Sequence, residues 1–365
     1  MAYTPVQRYA RLSTTVPPTL TGRILAALMT FLVPAHLTWA DQPVELKIVG
    51  GLAGVSQYEL FEKPFWESRI ESISKGRIHA EIHPFDRSGL PGQEMLQLMR
   101  LGVVPFGTAL LAVVSADEPE LNAVDLPALN PDMSALRKTV AAYRSHLEQT
   151  LHDQFNIKLL AIYTYPAQVI FCTKPFTGLS DLGGRRIRTS SVGQSEMMAA
   201  LGALPIVIPF ASTTAAVRNG VVDCAITGTL SGHEIGLSDV TSYIYPMAIS
   251  WGLSFFGANM TAWNALPSDV RSILLDAIGA LEHDVWDAAD RETSEGIACD
   301  IGEQTCEKDE RPGHMKLVPI TAKDELRRKQ LLGETVLPTW IQRCGVDCVT
   351  TWNETIGPLE GIAAH

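Results

Sequence analysis

Residues 179–189 read Leu179-Ser180-Asp181-Leu182-Gly183-Gly184-Arg185-Arg186-Ile187-Arg188-Thr189. A short helical turn over 179–182 leads through two glycines into a strand. Successive side chains of a strand point to opposite faces, so Arg186 and Arg188 share one face and Ile187 takes the other. Just beyond, Ser191-Val192-Gly193-Gln194 has the spacing of a capping box, which predicts a helix to Leu201 closed by Gly202. A strand that ends on arginine beside a capped helix N-terminus suits an anion. A guanidinium can hold a carboxylate through two parallel hydrogen bonds. The same pattern also fits a solvated sheet face, because exposed strand arginines are common.

Outward from this stretch, strands alternate with helices. Apolar–polar alternation or short apolar runs mark strands over 44–49, 78–83, 103–114, 158–165, 168–173, 205–209, 221–226, 240–250 and 253–260. Helical spacing marks 133–155, 213–219 and an amphipathic 322–343. In the clearest helix, Val270, Ile273, Leu274, Ala277, Ile278, Leu281 and Val285 recur at three and four after Pro267-Ser268-Asp269. Continued to Ile297 it would be about 40 Å long at ~1.5 Å per residue, enough to bridge two small domains. The pattern predicts an α/β class with parallel-rich sheets.

The 365 residues suggest about two domains at ~150 residues each. A hydrophobic share of 46% against 19% charged excludes intrinsic disorder. A formal charge of -11 argues against nucleic acid as a partner, since phosphate calls for a dense Lys/Arg surface. Residues 1–40 carry Arg8, Arg11 and Arg23 and no Asp or Glu, and an apolar run over 24–33 is broken only by Thr30. With Thr38-Trp39-Ala40 behind it, this reads as a signal peptide cut near Ala40. A spanning helix needs roughly 20 apolar residues, so the run is too short to be one. The mature protein is expected to be exported and periplasmic.

Catalytic motifs are absent: there is no GxSxG elbow, HExxH, Walker loop or CxxC. Gly50-Gly51-Leu52-Ala53-Gly54 after the first strand could cradle a phosphate and would support an exported dehydrogenase-like enzyme. Its spacing departs from GxGxxG, and a tight turn beside a ligand cleft is the plainer reading. No cofactor is expected. His233-Glu234 reads as a solvated pair. Of six cysteines, Cys299 and Cys306 flank a short polar loop and are the first choice for a disulfide, Cys344 and Cys348 the second. Zinc is a poor fit, because no His pair stands nearby at ligand spacing.

The run 179–189, followed by Leu201-Gly202-Ala203-Leu204-Pro205 and Gly220-Val221-Val222-Asp223, resembles the substrate-binding proteins of tripartite ATP-independent periplasmic (TRAP) transporters, the DctP family. Ser74-Lys75-Gly76-Arg77, Gly92-Gln93-Glu94 through Gly102, Asp125-Leu126-Pro127 and Trp263-Asn264-Ala265-Leu266-Pro267 extend the resemblance in consistent order over about residues 44–345. It implies a two-lobed periplasmic binding protein fold with a long helix spanning both lobes. The lobes would be 41–164 plus 250–285 and 165–249 plus 286–365. It implies a receptor that binds a small organic acid and delivers it to a TRAP permease, or a ligand sensor for a membrane signalling partner.

The resemblance places the family's carboxylate-clamping arginine on Arg188, with helix N–H groups around Ser191 beside it. This chain departs from the family at Gln168, where a second arginine is frequent, and at Thr227, where asparagine is. Ala211-Ser212-Thr213 replaces a Glu-x-Tyr. A less charged pocket is expected, suited to a monocarboxylate with an apolar or aromatic body. Tyr58, Phe85, Tyr163, Tyr165 and Trp251 are candidates for its wall. Tyr165 stands out because it precedes Pro166 at a strand end near the presumed hinge.

Overall fold

The computed structural model describes residues 42–306 and 313–365. The expected signal segment and its cut lie outside the described residues. Five strands form a first sheet: β1 (Val44–Gly50), β2 (Ile78–Pro84), β3 (Phe106–Leu110), β4 (Ile157–Tyr163) and, arriving later in the chain, β10 (Ser254–Asn259). Its order is β2-β1-β3-β10-β4. The second sheet holds β5 (Gln168–Cys172), β6 (Arg186–Thr189), β7 (Leu204–Val207), β8 (Cys224–Gly228), β9 (Tyr243–Ser250) and β11 (Lys316–Leu317), in the order β11-β9-β5-β8-β6-β7. Two short links, 164–167 and 251–253, carry the chain between the sheets, and after β10 the chain returns to the second sheet at β11.

Among the described residues five of the nine strand pairings are parallel, in line with the parallel-rich expectation, but both sheets are mixed. β10 runs antiparallel to β3 and β4, and β5 antiparallel to β8 and β9. Parallel neighbours need a crossover of a dozen or more residues, whereas β5 and β10 each enter directly from the other sheet through a short link. The apolar run 103–114 is a strand only over Phe106–Leu110 and then turns into the helix Leu111–Val114.

The helix Ser268–Ile301 runs 34 residues, past the expected end, to a left-handed Gly302. The stripe Val270, Leu274, Ile278, Leu281 and Val285 is buried with Ile48, Ile82 and Phe256 of the first sheet. Each such residue contributes roughly 1.5–3 kcal/mol on full burial. In the same stretch the Trp286 indole N–H donates to the Ile162 carbonyl at 2.7 Å. Further on, Thr229 Oγ1 donates to the Glu292 carbonyl at 3.1 Å, tying the helix to the segment Thr229–Glu234 that follows β8. That approach requires Gly296, where a Cβ would stand 2.1 Å from the Leu230 amide nitrogen. One helix therefore packs on elements of both sheets.

His233 is not solvated as expected: it is buried on that segment with Nδ1 3.0 Å from Asp300. The C-terminal helix expected over 322–343 runs unbroken from Ala322 to Cys344 with a π-helical stretch over Leu332–Val336, but it is not the last, since Val346–Glu354 follows. Three disulfides are present among the described residues: Cys299–Cys306, Cys344–Cys348 and Cys172–Cys224. The last joins two cysteines paired in register across β5 and β8.

Candidate functional site

A cleft of about 510 Å³ opens between loops that follow first-sheet strands and the edge of the second sheet. Leu52, Phe85, Asp86, Leu110 and Val113 line it from the first side; Gln168, Arg188, Ser190, Ser191, Phe210 and Thr227 line it from the second. Tyr165, on the link between β4 and β5, reaches it as well.

Arg188 sits where β6 pairs with both β7 and β8, opposite Ile206 and Ala225. It is 3% exposed. Nε donates to the Ile208 carbonyl at 2.9 Å and Nη1 to the Ile226 carbonyl at 2.6 Å. These bonds fix the plane of the fork, and Nη2 has no hydrogen-bond partner among the described residues. No carboxylate among the described residues pairs with it. Burial therefore pulls its pKa down to about 10, still a cation at neutral pH. A buried cation without a counter-ion is expensive, and an entering anion relieves that cost. Arg186 differs: its guanidinium grips Asp223 at 2.8 and 3.0 Å and donates to the Gly220 carbonyl, outside the lining of the cleft.

Gln168 opens β5. Its Oε1 accepts from Gln194 Nε2 at 2.6 Å and from Ser250 Oγ at 3.0 Å, which leaves its amide N–H groups as donors. Gly252, at φ +71, lets that amide lie close, since a Cβ there would stand 2.4 Å from Nε2. Ser191 caps the helix Val192–Ala200 by accepting from the Gln194 N–H at 3.0 Å. The return half of the expected capping box goes elsewhere: Gln194 Oε1 accepts from the Ser190 N–H. Thr227 is buried on β8. The Tyr165 hydroxyl accepts from the Leu52 N–H at 3.4 Å, and burial raises its pKa far above the usual phenol range.

Arg188, Gln168, Thr227, Tyr165, Ser191 and Phe85 thus come together. Tyr58 and Trp251 do not, and both are corrections. Tyr58 packs in the first-sheet core, donates to the Ile82 carbonyl and borders a separate shallow groove. Trp251 is buried with its indole N–H on the Asn130 carbonyl at 3.0 Å. Tyr163 is core too, stacked on Phe256. The sequence reading missed Asp86, Ser190 and Phe210. Asp86 follows β2 directly, and only that strand end position could have signalled it.

The Gly50-Gly51 turn offers no phosphate cradle. The Gly51 N–H donates to Glu62 Oε2 at 3.0 Å, and Gln57 Nε2 donates to Glu62 Oε1 at 2.7 Å. The Glu62 carboxyl already fills the turn and takes the N–H a phosphate would need.

Burial raises Glu62 from 4.5 to about 7, Asp125 from 3.8 to about 6 and Asp300 from 3.8 to about 6, and lifts Glu118 and Glu360 as well. In each case the folded state holds a proton that the unfolded chain releases. The stability that Glu62, Asp125 and Asp300 give is fully present below about pH 4 and is lost as pH rises through about 6 to 7. Asp223 and Asp324, held below their ordinary values, act oppositely and withdraw support only at lower pH. The melting temperature is therefore expected to be higher at about pH 5 than at about pH 7.5. A scan that falls steadily on acidification over that interval would contradict these assignments.

A buried, unpaired guanidinium between two α/β lobes, with no histidine, cysteine or lysine among the lining residues, defines a binding protein for a small anion. The sequence profile of the DctP family, described as bacterial extracellular solute-binding protein, family 7, matches residues 56–305, and the chain belongs to this family. It is a solute-binding protein rather than an enzyme, and the family is periplasmic. Among the described residues, no helix is long and apolar enough to cross a membrane.

The C4-dicarboxylate-binding periplasmic protein DctP of Rhodobacter capsulatus is 24% identical over 274 residues, 73% of this chain and 78% of that protein. The fold matches DctP7 of Bordetella pertussis, an extracytoplasmic solute receptor binding pyroglutamic acid. The TM-score is 0.73 at 23% identity over 85% of this chain and 99% of that one. It also matches a TRAP periplasmic solute-binding protein of Desulfovibrio salexigens with bound orotic acid. There the TM-score is 0.74 at 18% identity over 87% and 98%.

Proposed function

We propose that this protein is a periplasmic receptor that binds a small monocarboxylate and hands it to a TRAP-type permease, after removal of a leader near Ala40. The observation that carries the reading is Arg188, a buried fork with two prongs fixed on backbone carbonyls and one free at the cleft. The ligand carboxylate takes Nη2 of Arg188, with the Gln168 amide N–H and the Thr227 hydroxyl as further donors. The lobes 41–164 plus 250–285 and 165–249 plus 286–365 close on it. Closure lowers the local dielectric and strengthens each of these bonds. The ligand shifts the population toward the closed form because it makes more contacts there. Pyroglutamate and orotate, held by proteins of the same fold, both carry a single carboxylate on a ring.

Arg188 is the one cation among the lining residues, and Gln168 stands where a second arginine is frequent in the family. A second ligand carboxylate would be buried without a counter-ion, which is costly. A thermal-shift screen of organic acids on the mature protein tests the reading. Ligand at 100 times its Kd is expected to add ~2.7 kcal/mol of stability. Matched mono- and dicarboxylates are then titrated. Dicarboxylate binding tighter by about tenfold, or ~1.4 kcal/mol, would overturn the monocarboxylate preference.

A further inference from the structure

Asp86 is the one carboxylate among the lining residues, as Arg188 is the one cation. It lies in the turn Phe85–Arg87 that directly follows β2, so it belongs to the opposite side of the cleft from Arg188 on β6. Its Oδ1 accepts from the Ala53 N–H at 3.0 Å, which orients the carboxylate. Oδ2 has no hydrogen-bond or ion-pair partner among the described residues. The two charges stay apart: among the described residues no salt bridge joins them or engages either one.

We infer that Asp86 is a specificity-determining residue that receives an N–H donor of the ligand, so the cleft takes a carboxylate bearing an ammonium or lactam nitrogen. The inference rests on the assignment of the ligand carboxylate to Arg188. One cation and one anion stand among neutral lining residues, of which Phe85, Leu110, Val113 and Phe210 are apolar. A simple fatty or aromatic acid would satisfy Arg188 and bury the Asp86 carboxylate with no donor opposite it. A dicarboxylate would set its second charge near a like one. A ligand with a nitrogen donor meets both demands, and it links the two sides of the cleft in the closed form. Asp86→Asn changes this selectively. Its Oδ1 keeps the Ala53 N–H, while the atom toward the cleft becomes an NH2 group that faces a ligand N–H donor to donor.

The test uses calorimetry on the mature protein with probes that differ only in nitrogen. Proline is compared with cyclopentanecarboxylate, pyroglutamate with 3-oxocyclopentanecarboxylate, and phenylalanine with 3-phenylpropanoate. At least one nitrogen-bearing acid is expected to bind about tenfold or more tighter than its nitrogen-free partner. In Asp86→Asn that preference is expected to fall within about threefold, well under one kcal/mol. Equal binding of partners in the wild type, survival of the preference in Asp86→Asn, or no binding by any nitrogen-bearing acid overturns the inference. The wild-type comparison stands without the variant. If both partners bind alike and both are lost in Arg188→Lys, the receptor reading holds and the role of Asp86 alone fails. If acids bind and Arg188→Lys is indifferent, the receptor reading fails at its anchor.

Discussion

Arg188→Lys is expected to weaken acid binding by about 2–5 kcal/mol, tens- to thousands-fold, while the protein still folds. Lysine keeps the charge but not the fork. One ammonium cannot hold the Ile208 and Ile226 carbonyls and still present a planar donor to a carboxylate. The ammonium is also more strongly hydrated, so burying it costs more. Arg186→Lys is the control. That residue is half exposed, grips Asp223 and lies outside the cleft lining, so affinity is expected to stay within about twofold. Titration calorimetry on both variants, beside their melting curves, checks the contrast. An Arg188→Lys protein that melts normally and binds with unchanged affinity would remove Arg188 from the site.

The alternation of strands and helices and the apolar stripe of the long helix were legible because each rests on local periodicity. Arg188 was legible as a strand residue beside a capped helix. Strand direction was not, since alternation looks the same either way, and so the antiparallel entry of β5 and β10 went unread. Cys172–Cys224 was hidden for a related reason. The two residues are 52 apart in sequence and meet only when β5 and β8 are set in register. Tyr58 and Trp251 show that aromatic character cannot say whether a ring faces the core or the cleft. The polar cluster of Gln168, Gln194, Ser190 and Ser250 draws on three separate elements, so no local pattern announces it. His233 looked solvated because the chain around it is polar, while its burial comes from a helix some sixty residues on.

Asp125 carries the second large effect, and in the sequence it was only a loop residue before Leu126-Pro127. In the structure its carboxylate accepts from the N–H groups of Trp251, Gly252 and Leu253 at 2.7, 2.8 and 3.3 Å. Those residues form the link from β9 to β10, and Gly252 and Leu253 line the cleft. One side chain thus holds a crossing between the sheets and part of the binding surface. Asp125→Ala leaves three buried N–H groups unpartnered. Each costs about 1–3 kcal/mol, and water entering the gap recovers part, so a net loss of about 3–5 kcal/mol is expected. Asp125→Asn retains one acceptor oxygen but sets an NH2 group among N–H donors, so it should fall between alanine and the wild type. Urea unfolding at neutral pH measures the losses. A second signature separates this role from simple cavity formation. Asp125 is one of the carboxyls raised by burial, so its removal should shrink the stability gained between about pH 7.5 and pH 5. A loss below about 1 kcal/mol, with the acid-side gain intact, would mean the link is held by its strands and not by Asp125.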